Sequence, residues 1–148
     1  MLKGISPLLS PELLKVLAEM GHGDVIVIAD ANFPVKSFCE AGGAVNVRAD
    51  GHSATDILTA VLDIMPVDAY VQHPFTIMQK TAQDKDLACP IWDDFKAIAG
   101  KYDERGADAF EQLERFTFYD FAKTAYAIVQ TGERALYGNI AIRKGVIS

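Results

Sequence analysis

The chain of 148 residues lacks most of the features by which a protein's chemistry is usually recognised. It has two cysteines, Cys39 and Cys89, far apart and in no C-x-x-C pair, so zinc-ribbon and thioredoxin-type redox signatures are missing. His52 and His73 show no ligand spacing with each other or with a cysteine, which leaves a metal site without support. There is no G-x-S-x-G elbow and no phosphate-binding loop, so neither a serine hydrolase nor an NTPase is indicated. No apolar run approaches the roughly 18 residues of a membrane span. Pro7 and Pro11 interrupt the apolar stretch behind Lys3, which makes a poor signal peptide. Positive charge is also short. Lys plus Arg number 14 against 20 Asp plus Glu, a net charge of −6 with no basic run, whereas a nucleic-acid binder needs a basic face. A reducing cytoplasm is the expected setting, with neither membrane nor nucleic acid as partner.

What is present is a folding pattern. Half the residues are hydrophobic and 23% are charged, a balance that builds a core rather than a disordered chain. The length suits a single domain, residues 1–148, able to bury roughly 70% of its unfolded surface. Ser10 is a natural N-cap and Pro11 fits the first helical position, so a helix is predicted through Leu13, Leu14, Val16 and Leu17 to Gly21. The run from Val25 to Ala29 is short, β-branched and unbroken, as in a strand buried on both faces. It ends at Asp30, and Pro34 is read as stopping regular structure. A second strand is predicted near 45–48 and a helix from Ser53 to Met65. An extended segment from Tyr70 to Met78 follows, then a polar loop carrying Asp84, and a helix from Pro90 to Lys101. A strand over 110–115, a helix over 116–125, and strands over 126–130 and 139–143 complete the pattern. Strand and helix signals alternate at short spacing. The expected fold is a single α/β domain with a Rossmann-like, three-layer, mostly parallel sheet and helices on both faces.

Open parallel sheets bind ligands beyond the carboxyl ends of their strands, and Asp30 lies at such an end. A carboxylate there is costly without a partner or ligand, so it either contacts a ligand or caps its loop. In Gly21-His22-Gly23-Asp24, glycines on both sides let a histidine face a cavity, where it can give or take a proton near neutrality. The alternative is a histidine that complements a helix C-terminus, and the local sequence alone favours that. The glycines precede the strand rather than follow it, so no dinucleotide fingerprint exists. Near the C-terminus, Arg115, Tyr119, Tyr137, Gly138 and Asn139 form a third group. Arginine, tyrosine and asparagine recognise hydroxyls well. Phe116 and Phe118 read as core, and Tyr137-Gly138-Asn139 reads equally well as a turn entering a strand.

Taken together, these segments resemble the fucose mutarotase branch of the family that also contains the ribose pyranases. The likeness rests on the stretch from Ile5 to Asp24, on Asp30-Ala31-Asn32-Phe33-Pro34 and on Arg48-Ala49-Asp50-Gly51. It continues through Glu114-Arg115-Phe116, Phe118-Tyr119, Thr131-Gly132-Glu133, Tyr137-Gly138-Asn139 and Lys144-Gly145-Val146. The resemblance implies that His22 is a proton donor and that Asp30, Arg115 and residues 137–139 bind a monosaccharide, L-fucose first among them. Tyr119 is a further pocket and catalytic candidate, and the base is Asp30, Tyr119 or a held water. It implies no cofactor and no metal. It further implies a closed homo-oligomer, decamers included, with the site near a subunit interface and the Tyr137–Asn139 segment completing a neighbour's pocket. Asn32 stands where some relatives have histidine, and the loop from Lys80 to Cys89 departs from the pattern. A ribose pyranase and a non-catalytic monosaccharide-binding protein are the competing readings.

Overall fold

A computed structural model describes residues 1–148. Five helices and six strands alternate along it: α1 Pro11–Glu19, β1 Val25–Ala29, α2 Val35–Gly42, β2 Val45–Ala49, α3 Ala54–Leu62, β3 Phe75–Met78, α4 Pro90–Ala99, β4 Phe110–Leu113, α5 Arg115–Lys123, β5 Ala127–Thr131 and β6 Ile140–Arg143. The strands form one sheet in the order β2-β5-β1-β6-β3-β4. β2, β5 and β1 pair in parallel, as do β3 and β4, while β6 runs antiparallel between β1 and β3. Five strands therefore share one direction, and the predicted mostly parallel sheet is what the chain builds.

The period-two geometry of a strand sends alternate residues to opposite faces. Ile26 and Ile28 of β1 pack with Leu13, Leu58 and Phe95 of α1, α3 and α4. Val25, Val27 and Ala29 face the other way, against Val35 and Cys39 of α2 and Phe118 of α5. With both faces covered, β1 has no polar side, which is why its sequence reads as a continuous apolar run. The result is three layers. No helix is long and apolar enough to cross a membrane.

The predicted caps are made. The Ser10 hydroxyl accepts the Leu13 N–H at 3.1 Å and the Ser53 hydroxyl accepts the Asp56 N–H at 3.1 Å. Two expectations need correction. Pro34 does not stop regular structure. It occupies the N-cap of α2, where a residue without an N–H is tolerated because that donor would be unpaired anyway. The extended segment ending at Met78 becomes a strand only from Phe75, and ahead of it the carbonyls of Asp68, Val71 and Gln72 accept from the guanidinium of Arg105 instead of from a neighbouring strand.

Gly42 closes α2 directly against the Lys123 carbonyl of α5, where any Cβ would collide with main chain. We expect Gly42→Ala to lower the unfolding free energy by about 1–3 kcal/mol, as overpacking does elsewhere. A chemical denaturation series should show the midpoint falling at constant slope, and an unchanged midpoint would refute the contact.

Candidate functional site

Five of the six strands end at one edge of the sheet, and β6 begins there. The segments at that edge enclose a cavity of about 230 Å³ lined by Asp30, Asn32, Phe33, Met78, Asp84, Arg115, Tyr119, Leu136, Tyr137 and Asn139. That is below the roughly 300–1,000 Å³ of drug-sized sites, so it suits one small ring.

At its floor, Asp30 and Asn139 hold each other. The Asp30 N–H donates to Asn139 Oδ1 at 2.8 Å, and Asn139 Nδ2 donates to Asp30 Oδ2 at 2.8 Å. The Asn32 N–H donates to Asp30 Oδ1 at 2.9 Å, and Gln130 Nε2 fixes the Asp30 carbonyl at 2.6 Å. Burial pushes the Asp30 carboxyl above its ordinary value of 3.8. The donors from Asn32, Asn139, Gly138 and Phe33 oppose that rise without cancelling it. The strand-end carboxylate is both readings at once: it caps its own loop and faces a cavity.

The wall is aromatic and cationic. Arg115 opens α5, and its Nε donates to the Tyr119 hydroxyl at 3.1 Å, one helical turn on. Its guanidinium lies 5.3 Å from the Tyr119 ring and 5.5 Å from the exposed Phe116 ring. Tyr119 is wedged edge-on between Phe33 and Phe38, at 5.6 and 5.1 Å. Also in the lining, Tyr137 adopts a left-handed φ of 60°, the only non-glycine residue to do so. Such a conformation is costly for a bulky side chain and persists where neighbours over-determine it. Here Trp92 Nε1 donates to the Tyr137 carbonyl at 3.0 Å and the Tyr137 hydroxyl donates to Asp84 Oδ2 at 2.6 Å. The next residue must be glycine, since a Cβ on Gly138 would lie 2.9 Å from the Ala135 carbonyl and 3.0 Å from Glu133 Cγ.

Asp30, Arg115, Tyr119, Tyr137 and Asn139 are thus brought together around one cavity, with Gly138 between the last two. His22 is not with them. It precedes β1 whereas Asp30 follows it, and the five intervening strand residues span about 16 Å. The imidazole and the carboxylate, both expected to serve the site, therefore lie at opposite ends of β1 in one chain. The Tyr137–Asn139 segment, expected to complete a neighbour's pocket, lines the pocket that holds Asp30 of its own chain. Because β6 starts beside the end of β1, that segment completes the pocket of its own chain. His22 instead sits at the amino edge, its Nε2 3.1 Å from Asp68 Oδ1 and its ring 5.4 Å from that of Tyr70. Asn32, Asp84 and the apolar side chains Phe33, Met78 and Leu136 join the site without having been singled out as ligand contacts. Asp84 arrives on a short 3₁₀ turn, Ala82–Asp84, that only the bond to Tyr137 identifies as pocket wall. No group of three His, Cys, Asp or Glu side chains is placed to hold a metal ion.

A doubly covered α/β sheet with a small polar pocket at the carboxyl edge of its strands defines a binder of, or enzyme acting on, a small hydroxylated molecule. Residues 3–147 match the RbsD / FucU transport protein family, and the chain belongs to that family. It is 47% identical to the fucose mutarotase of Homo sapiens, over 99% of this chain and 95% of the human protein. Among solved structures, FucU from Bifidobacterium longum superposes with a TM-score of 0.95 at 50% identity, covering 99% of this chain and 100% of that one. The fucose mutarotase of Streptococcus pneumoniae, in complex with L-fucose, superposes with a TM-score of 0.89 at 39% identity over 99% and 100% of the two chains.

Burial dominates the Asp30 environment, so its carboxyl should titrate above 3.8 in a ¹³C NMR titration. The folded state then holds that proton more tightly than the unfolded chain does. The contribution of Asp30 to stability is greatest below its unfolded value and is lost as pH rises through the folded one. Asn139→Ala removes an opposing donor and should move the titration higher still. An Asp30 that titrates at or below 3.8 in the native protein would contradict this.

Proposed function

We propose that the chain is an L-fucose mutarotase, which interconverts the α and β anomers of the free sugar by opening and closing its ring. The observation that carries the reading is the single-ring pocket that Arg115, Tyr119 and Tyr137 line together with the locked pair Asp30 and Asn139. Relatives named for this activity, alike over nearly the whole chain, support it.

The pocket offers donors from Arg115, Asn139 and the tyrosines, and acceptors from Asp30 and Asp84. That is the mixture a ring of hydroxyls requires. Its apolar wall of Phe33, Met78 and Leu136 suits the methyl group of a 6-deoxy sugar, and ribose has no such group to place there. This favours fucose over a ribose pyranase activity.

Mutarotation needs one proton delivered to the ring oxygen and one removed from the anomeric hydroxyl. The bond from C1 to the ring oxygen breaks, the aldehyde forms, C1 turns, and the freed hydroxyl adds to the other face. Both protons return, and no electrons leave the sugar. Asp30 is a suitable acceptor for the anomeric proton, since burial makes its carboxylate more basic than an exposed one. Tyr119, anchored by Arg115, orients the sugar or relays that proton. His22 is the donor. Since it lies at the far edge of its own chain, it acts on the pocket of a second copy, which makes the enzyme a homo-oligomer with its site at the interface. Exposed Phe116 and Leu136 beside the pocket, and exposed Leu2, Val146 and Ile147 on the terminal segments, suit that burial. The same reading assigns the enzyme to the cytoplasm.

Saturation-transfer NMR of L-fucose should show anomer exchange catalysed by the wild-type protein, and slower exchange for ribose. His22→Ala should reduce the rate on the order of 10²–10⁴-fold, the usual contribution of a placed acid. Undiminished exchange would remove His22 from the mechanism.

A further inference from the structure

We infer that Asp68 is the positioning residue for His22, and that it fixes which ring nitrogen meets the sugar. The inference rests on the proposed role of His22 as proton donor. Asp68 lies in the irregular segment between α3 and β3, yet its side chain is only 2% exposed. A buried carboxylate is costly unless bonded. Its Oδ1 receives the Tyr70 N–H at 3.0 Å and faces His22 Nε2 at 3.1 Å. His22, 46 residues away in sequence, is the one side chain to which it bonds. The imidazole itself keeps 45% of its surface open. One partner is thus sunk in the protein while the other presents a free face, unlike an ordinary surface ion pair, whose two mobile ends are both solvated.

Both sides of the contact are anchored to the end of β6. The Asp68 N–H donates to the Arg143 carbonyl at 3.1 Å, and Gly145 approaches Val67 too closely to carry a Cβ. Arg143 Nη1 donates to the Gly23 carbonyl at 2.8 Å, and the Gly23 N–H donates to the Lys144 carbonyl at 2.9 Å. A further brace comes from Arg105. Gripped by Asp103 through Nε at 2.9 Å and Nη2 at 2.6 Å, it donates to the carbonyls of Asp68 and Val71 at 3.2 and 2.7 Å. An irregular segment held by this many main-chain bonds is a rigid mount.

A carboxylate only accepts, so the nitrogen facing it must carry a proton. In neutral His22 that proton sits on Nε2, and Nδ1 is left as the acceptor. When the ring is doubly protonated, Nδ1–H is the group that donates to the sugar ring oxygen. Asp68 therefore selects the tautomer and aims the ring without touching substrate.

Long-range ¹H–¹⁵N correlation spectra of the sugar-free protein test this directly. Neutral His22 should show its proton on Nε2, and Asp68→Asn should give a mixture of tautomers. The same variant should lose roughly 10–100-fold in kcat for anomer exchange, the usual effect of removing such a partner, with KM within about twofold. A wild-type ring protonated on Nδ1 would overturn the inference, as would an Asp68→Asn protein with unchanged tautomer and kcat. Should that variant not fold, the wild-type spectrum still decides the tautomer. Failure of the wild type to exchange anomers would remove the catalytic role while leaving the spectroscopic result standing, so the two readings fail separately.

Discussion

Asp30 and Asn139 bond to each other twice, main chain to side chain and side chain to carboxylate, across the junction of β1 and β6. The pocket depends on that pair. It ties the end of the most buried strand to the start of the one antiparallel strand, and so fixes where residues 132–139 can lie. Glu133 adds to the tie. Its carbonyl accepts the Ala31 N–H at 2.8 Å and its carboxylate accepts the Arg134 and Ala135 N–H groups, each at 2.9 Å. With that loop pinned, Tyr137 is held in its left-handed turn against Asp84, and both line the pocket. A buried aspartate of this kind costs solvation, and only the dense set of donors around it makes the arrangement tolerable.

The direction of β6 has a second consequence. Because it runs antiparallel beside β1, its start serves the pocket and its end serves His22. A strand of four residues thereby anchors both the pocket and the His22–Asp68 contact while separating them by its own length. Open α/β sheets bind ligands beyond the carboxyl ends of their strands. A reaction that needs a proton donor on the other side of its substrate can obtain one by assembling copies of the chain, edge to edge.

Much of this was legible in the residues. Val25 to Ala29 reads as a doubly buried strand because both faces of the sheet are covered, and Ser10 and Ser53 announce their helices through caps that the structure makes. Asp30 stands out as a carboxylate at a strand end, and Arg115, Tyr119, Tyr137 and Asn139 as hydroxyl-recognising groups. Other features were hidden for physical reasons. Pro34 starts α2 rather than ending structure, and proline at a boundary permits either outcome. Asp84 and Asp68 sit in segments without periodicity. Their importance comes from long-range bonds to Tyr137 and His22, which no local pattern encodes. The separation of His22 from Asp30 follows from strand direction, although the two lie only eight positions apart.

The proposed mechanism has one chain supply the pocket and another the acid. Its most direct test is to refold two inactive proteins together, His22→Ala and Arg115→Ala, in equal amounts, and to measure anomer exchange of L-fucose by NMR. If the site is shared between copies, random assembly of a closed symmetric oligomer leaves about a quarter of the sites with both groups intact, and activity returns to about that fraction. If His22 serves its own chain, no site in the mixture is complete. A mixture as inactive as its components would rule out a site shared between copies.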